Sequence, residues 1–89
     1  MKITRLKVDW DKQFPMRAAV QLVRVTRRFR SRIQLRVGAE VADARNVLSI
    51  LILVSSLTSY LDIEASGDDE QEAVQAVVEH LNHRSDRSA

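Results

Sequence analysis

The sequence predicts an α+β open-faced sandwich: a four-stranded antiparallel sheet with three helices on one face, in the order βαββαβα. Three observations predict it. Apolar and polar residues alternate with period two in short segments at 2–9, 32–37 and 60–66, as strands with one buried and one wet face require. Helical periodicity marks 16–28 and 70–83. Strand and helix segments follow one another through short turns, and burying their apolar sides together gives two layers around one core.

Leu6, Val8 and Trp10 alternate with Arg5, Lys7 and Asp9, which places the first strand at 2–9. A polar loop then leads to Pro15, whose fixed φ and missing N–H suit a helix entrance. The first helix is predicted over 16–28, with Met16, Ala19, Val20 and Val23 on its apolar face and Arg24, Arg27 and Arg28 in its last turns, where cations favour the helix dipole. Ile33, Leu35 and Val37 alternate with Arg32, Gln34 and Arg36 in the second strand. Gly38-Ala39 makes a turn into a third strand at 40–44. Asn46, a strong N-cap residue, opens a short helix at 47–52. Leu61, Ile63 and Ala65 alternate in the fourth strand at 60–66, and Gly67-Asp68-Asp69 caps a last helix at 70–83. Ala73, Val74, Val77, Val78 and Leu81 form its buried face. Residues 1–84 are expected to be a single domain and 85–89 a polar, flexible tail.

Composition narrows the function classes. The chain has 89 residues, 45% hydrophobic and 29% charged, ordinary for one small globular domain. It has no cysteine, so disulfide and thiolate chemistry are excluded, which fits a reducing cytoplasm. The apolar run at 47–54 is too short to span a bilayer, and the N-terminus lacks a signal-peptide hydrophobic region. A soluble cytoplasmic protein without membrane insertion is expected.

No Gly-rich phosphate loop, catalytic triad or paired-acid constellation is present, so no enzyme is expected. His80 and His83, with Glu79 nearby, have a spacing that could hold a metal, but a helix C-terminus suits them without one, and neither metal nor cofactor is expected. Net charge is only +2, yet Arg24, Arg27, Arg28, Arg30, Arg32 and Arg36 crowd one segment. They could form a basic patch for nucleic acid or an acidic partner, or a solvated helix end followed by the outer face of a strand. Phe29 is the only aromatic among them, a poor platform for base stacking, so nucleic acid is not the expected partner.

Residues 13–23 carry a resemblance. Gln13-Phe14-Pro15-Met16-Arg17-Ala18-Ala19 resembles the active-site segment of the HPr family, the histidine phosphocarriers of the sugar phosphotransferase system of bacteria, whose pattern is Gly-Leu/Ile-His-Ala/Thr-Arg-Pro-Ala. Ile33-Gln34-Leu35, the turn at Gly38 and Ala65-Ser66-Gly67-Asp68-Asp69-Glu70 fall in the same register, and the resemblance runs over nearly the whole chain. It implies the same fold, with Arg17 matching the family's phosphate-stabilising arginine. The phosphate-accepting histidine falls on Pro15, which has no atom to take a phosphoryl group. A register slip does not restore it, because no histidine precedes His80. The family proline after the arginine is Ala18. The regulatory serine of many members falls on Asn46, which keeps the cap and lacks the hydroxyl; nothing in the pattern makes Ser49 its substitute. Two glycines of the loop after the short helix fall on Val54 and Thr58.

By this resemblance the chain is expected to be a regulatory, protein-binding relative that does not carry phosphate, as the catabolite-repression HPr homologue lacks the histidine and keeps regulatory binding. That homologue retains the serine. The alternatives are a phosphocarrier with another acceptor and the basic module described above. Family members dock through the first and short helices, which makes Met16, Arg17, Val20, Val47, Leu48 and Leu51 the candidate anion- and partner-binding residues. Met16, Val47 and Leu48 are expected to be exposed; Val20 and Leu51 are open between surface and core. The implied partner is a phosphotransferase-system enzyme or a transcriptional regulator. The sequence does not fix the oligomeric state.

Overall fold

In the computed structural model the elements are β1 (Lys2–Lys7), α1 (Pro15–Thr26), β2 (Arg32–Val37), β3 (Glu40–Asp43), α2 (Val47–Val54), β4 (Tyr60–Ser66) and α3 (Glu70–Ser88). The backbone is described for residues 1–88 and side chains for residues 1–83. Ala89 and the side chains after His83 lie outside the described residues, and the expected tail at 85–89 falls there. The four strands form one antiparallel sheet in the order β1-β4-β2-β3, and the helices cover one face. The predicted architecture and element order are those observed.

The core follows from the alternation. Ile33 and Leu35 of β2 and Leu61, Ile63 and Ala65 of β4 point under the helices, with Leu22, Ile50 and Val77 packed over them. The intervening residues face out and neutralise each other. Arg5 donates to both carboxylate oxygens of Asp62, at 2.8 and 3.3 Å. Arg36 reaches diagonally past Asp62, its register partner, to Glu64 at 2.6 Å.

Element ends and helix faces differ from expectation in several places. β1 ends at Lys7 rather than at 9; Val8 N still donates to Ser59 O at 2.8 Å before the chain turns toward α1. α1 ends at Thr26, because the next amides, Arg28 and Phe29, donate three residues back and tighten the turn. Its buried residues are Ala18, Ala19, Leu22, Val23 and Thr26, so Met16 is 60% exposed and Val20 half-buried. Thr26 can be buried because its hydroxyl donates to Val23 O and to Ala44 O. α2 runs two residues further than predicted, to Val54, and α3 continues past 83 to Ser88.

The turn between α1 and β2 is fixed from two sides. The Asp69 carboxylate accepts from the N–H groups of Arg30 and Ser31, at 3.0 and 2.9 Å, and from the Ser31 hydroxyl. The Arg45 guanidinium donates to the carbonyls of Phe29 and Ser31. Gly67 is required beside this clamp: its φ is +150°, and a Cβ there would lie 2.7 Å from Ser31 Oγ.

Candidate functional site

Asp11 shapes the entrance of α1. Its carboxylate accepts from the N–H groups of Gln13 and Phe14, both at 2.9 Å, an Asx turn that aims the chain into the helix. Phe14 occupies the cap position without a side-chain hydrogen bond, and Pro15 is the first helical residue. Trp10 folds back from the other side, its indole N–H donating to Pro15 O at 3.3 Å. Pro15 is exposed, at the very start of the helix. The guanidinium of Arg17 lies over the Phe14 ring, 4.5 Å from its centroid, a cation–π contact that holds the charge beside the helix start.

Two concavities adjoin Pro15. One is open, lined by Phe14, Met16, Arg17, Val20, Gln21 and Arg24. The other is a cavity of about 370 Å³ between the β1–α1 loop and the α2–β4 loop. Val8, Trp10, Leu51, Val54 and Leu57 give it apolar walls, and Asp9, Asp11, Lys12, Ser55 and Thr58 complete it.

The candidate docking residues fall as follows. Met16, Leu48 and Arg17 are exposed, and Val20 and Leu51 are half-buried; Val47, expected at the surface, is instead half-buried against the core. α1 and α2 pack side by side. Asn46 caps α2, its side-chain oxygen accepting from Ser49 N at 3.1 Å. Ile52, 64% exposed on α2, belongs with Leu48 and was missed, although the i, i+4 spacing of the two residues was there to find it. Trp10 and Leu57 were missed as lining residues; their signal was a bulky apolar side chain inside an otherwise polar loop.

The arginine segment does not form one surface. Arg24 joins Arg17 in the open concavity. Arg27, Arg28 and Arg30 are exposed around the end of α1, with Arg28 over the Phe29 ring at 5.7 Å. Arg32 and Arg36 lie on the outer face of the sheet, away from the helices, and Arg36 is tied to Glu64.

His83 is exposed, and His80 is half-buried with its Nε2 enclosed. Among the described residues no group of three or more His, Asp or Glu is placed to hold a metal ion, and no helix is long and apolar enough to cross a membrane.

Comparison with known proteins agrees with the geometry. A family model described as PTS HPr component phosphorylation site matches residues 4–83. Phosphocarrier protein NPr of Proteus mirabilis is 42% identical over 64 residues, 70% of this chain and 70% of that protein. Phosphocarrier protein HPr of Cupriavidus necator is 26% identical over 68 residues, 76% of each. Among solved structures, HPr-C-His from Thermoanaerobacter tengcongensis superposes with a TM-score of 0.82 at 26% identity, covering 92% of both chains.

Proposed function

Since this chain belongs to the HPr family of the phosphotransferase system, we propose that it keeps the family's docking and has given up the family's phosphoryl transfer. One observation carries the reading. Pro15 is exposed at the start of α1, and by the resemblance of residues 13–19 it stands where the family has its acceptor histidine. Proline offers no lone pair for attack on phosphorus, since its only nitrogen is an amide. Phe14 beside it has no nucleophilic atom, and the thioether of Met16 forms no stable phosphoryl adduct.

What remains around Pro15 suits binding. Arg17 is held beside the helix start, and the exposed apolar residues Met16, Leu48 and Ile52 lie on two adjacent helices. Such a patch, with half-buried Val20, Val47 and Leu51 around it, is the form of a protein interaction surface. The partner is a phosphotransferase-system protein or a regulator responsive to that system. Asn46 keeps the cap of α2 and offers no hydroxyl for regulatory phosphorylation, so the binding is not switched there. The site of action is the cytoplasm.

The test is phosphotransfer from phosphoenolpyruvate through the general upstream enzyme, read by intact mass beside a histidine-bearing HPr. The wild type is expected to gain no phosphoryl group, and Pro15→His to gain one. A phosphorylated wild type would overturn the reading. A folded Pro15→His that stays unmodified would show that docking on that enzyme has been lost as well.

A further inference from the structure

The cavity of about 370 Å³ between the β1–α1 loop and the α2–β4 loop has apolar walls that are held from behind. Val8 is buried, and Trp10, Leu51, Val54 and Leu57 are half-buried against the core. The Trp10 indole N–H donates to Pro15 O at 3.3 Å, which restrains the ring. Val54 and Thr58 line the cavity at two positions where the family pattern has glycines, which would leave those walls bare. A concavity of this size with apolar walls and a few polar groups takes a compact ligand with an apolar body.

The lining also carries two opposite charges that no neighbour uses. Asp9 and Lys12 both line the cavity, and both are exposed. Among the described residues neither forms an ion pair, with the other or with a third group. Asp11, the other acid there, is engaged: its carboxylate accepts from the N–H groups of Gln13 and Phe14.

We propose that the cavity binds a free α-amino acid with a bulky apolar side chain, aromatic or branched aliphatic. The side chain lies against Trp10, Leu51, Val54 and Leu57, the ammonium group answers Asp9 and the carboxylate answers Lys12. The two charges select this class. A purely apolar ligand would leave both unanswered, and an amine or an organic acid would answer one. A residue inside a protein chain has neither charge on its backbone, so a partner's side chain does not match the site. The site needs no second protein and is independent of the docking reading above.

Trp10 is the only tryptophan of the chain, so its emission reports on the cavity directly. The probes are L-phenylalanine and L-leucine, and a saturable change in emission is expected with each. N-acetylphenylalanine lacks the ammonium group and phenylalaninamide lacks the carboxylate; each is expected to bind about twofold to fivefold more weakly than phenylalanine, the worth of one exposed ion pair. Two variants should sort the probes in the same way. Asp9→Asn is expected to weaken phenylalanine and phenylalaninamide and to leave N-acetylphenylalanine unchanged. Lys12→Gln is expected to weaken phenylalanine and N-acetylphenylalanine and to leave phenylalaninamide unchanged. Both positions are exposed, so neither substitution touches the core. Thr58→Phe, at an exposed loop position, should fill the cavity and remove the response.

The proposal falls if emission saturates with neither amino acid, or if glycine, without the side chain, binds as tightly. It falls equally if neutral N-acetylphenylalaninamide matches phenylalanine, or if the Asp9 and Lys12 variants bind phenylalanine as the wild type does. A folded Thr58→Phe that still binds phenylalanine would place the ligand elsewhere and overturn it too. Phosphotransfer through a partner enzyme enters none of these readouts, so the docking reading stands or fails separately.

Discussion

Asp69 holds a turn whose residues lie far from it in sequence. The Ser31 hydroxyl and the backbone N–H groups of Arg30 and Ser31 donate to its carboxylate and depress its pKa to about 2. The folded state therefore favours the ionised form. The stability gained is complete above the unfolded value of roughly 3.9 and is lost as pH falls toward the folded value. Asp69→Asn is expected to lower the melting temperature at neutral pH and to flatten its dependence between about pH 4 and pH 2. Melts at stepped pH read this directly. An unchanged acid slope would move the sensitivity to Asp62 and Glu70, whose pKa values are lowered by Arg5 and by the N-terminal amine. The sequence places Asp69 correctly at the start of a helix. That its carboxylate serves another segment could not be read, because the donors come together only when α3 docks beside the turn. The capping contact there comes instead from Glu70, which accepts from Gly67 N at 3.2 Å.

Helix starts were easier to read than helix ends and faces. Asn46 marks the start of α2 because its side chain can satisfy a first-turn N–H, and it does so for Ser49. Asn46→Ala is expected to destabilise the protein by about 1 kcal/mol, measured by urea unfolding; no change would mean that packing alone holds α2. Its end was not legible, since Val47-Leu48-Ser49-Ile50-Leu51-Ile52-Leu53-Val54 is apolar at nearly every position and periodicity then has no contrast to work with. The stop is made by Ser56 N and Leu57 N, which donate to Leu53 O and Val54 O. α1 misled in another way. Arg17, Gln21 and Arg24 mark its outer side, but Met16 and Val20 beside them are apolar too; the helix turned Ala18, Leu22 and Thr26 inward, and Thr26 is a polar residue that its contacts with Val23 O and Ala44 O make suitable for the core. In the candidate site, Pro15 and Arg17 were legible from their place in a pattern. The cavity beside them was not, because its walls come from two loops that periodicity leaves blank and from the end of α2.

The architecture as a whole rests on its two central strands. β4 and β2 carry Leu61, Ile63, Ile33 and Leu35, each at most 1% exposed, and all three helices gather over them. Ile63→Ala is expected to cost about 2–5 kcal/mol, measured by equilibrium unfolding. A much smaller loss would mean that the core closes around the gap. Alternation alone assigned these residues to the buried face. The order β1-β4-β2-β3, by contrast, is set by which strands must lie side by side to fit under the helices.

The contacts that join the end of α1 to the start of α2, Thr26 to Ala44 O and Arg45 to the carbonyls of Phe29 and Ser31, have a consequence for rates. They fasten α1 and α2 to each other, so under the docking proposed above no slow rearrangement stands between encounter and complex. Association is then governed by collision and electrostatic attraction, and differences in affinity among partners appear in how long each complex lasts.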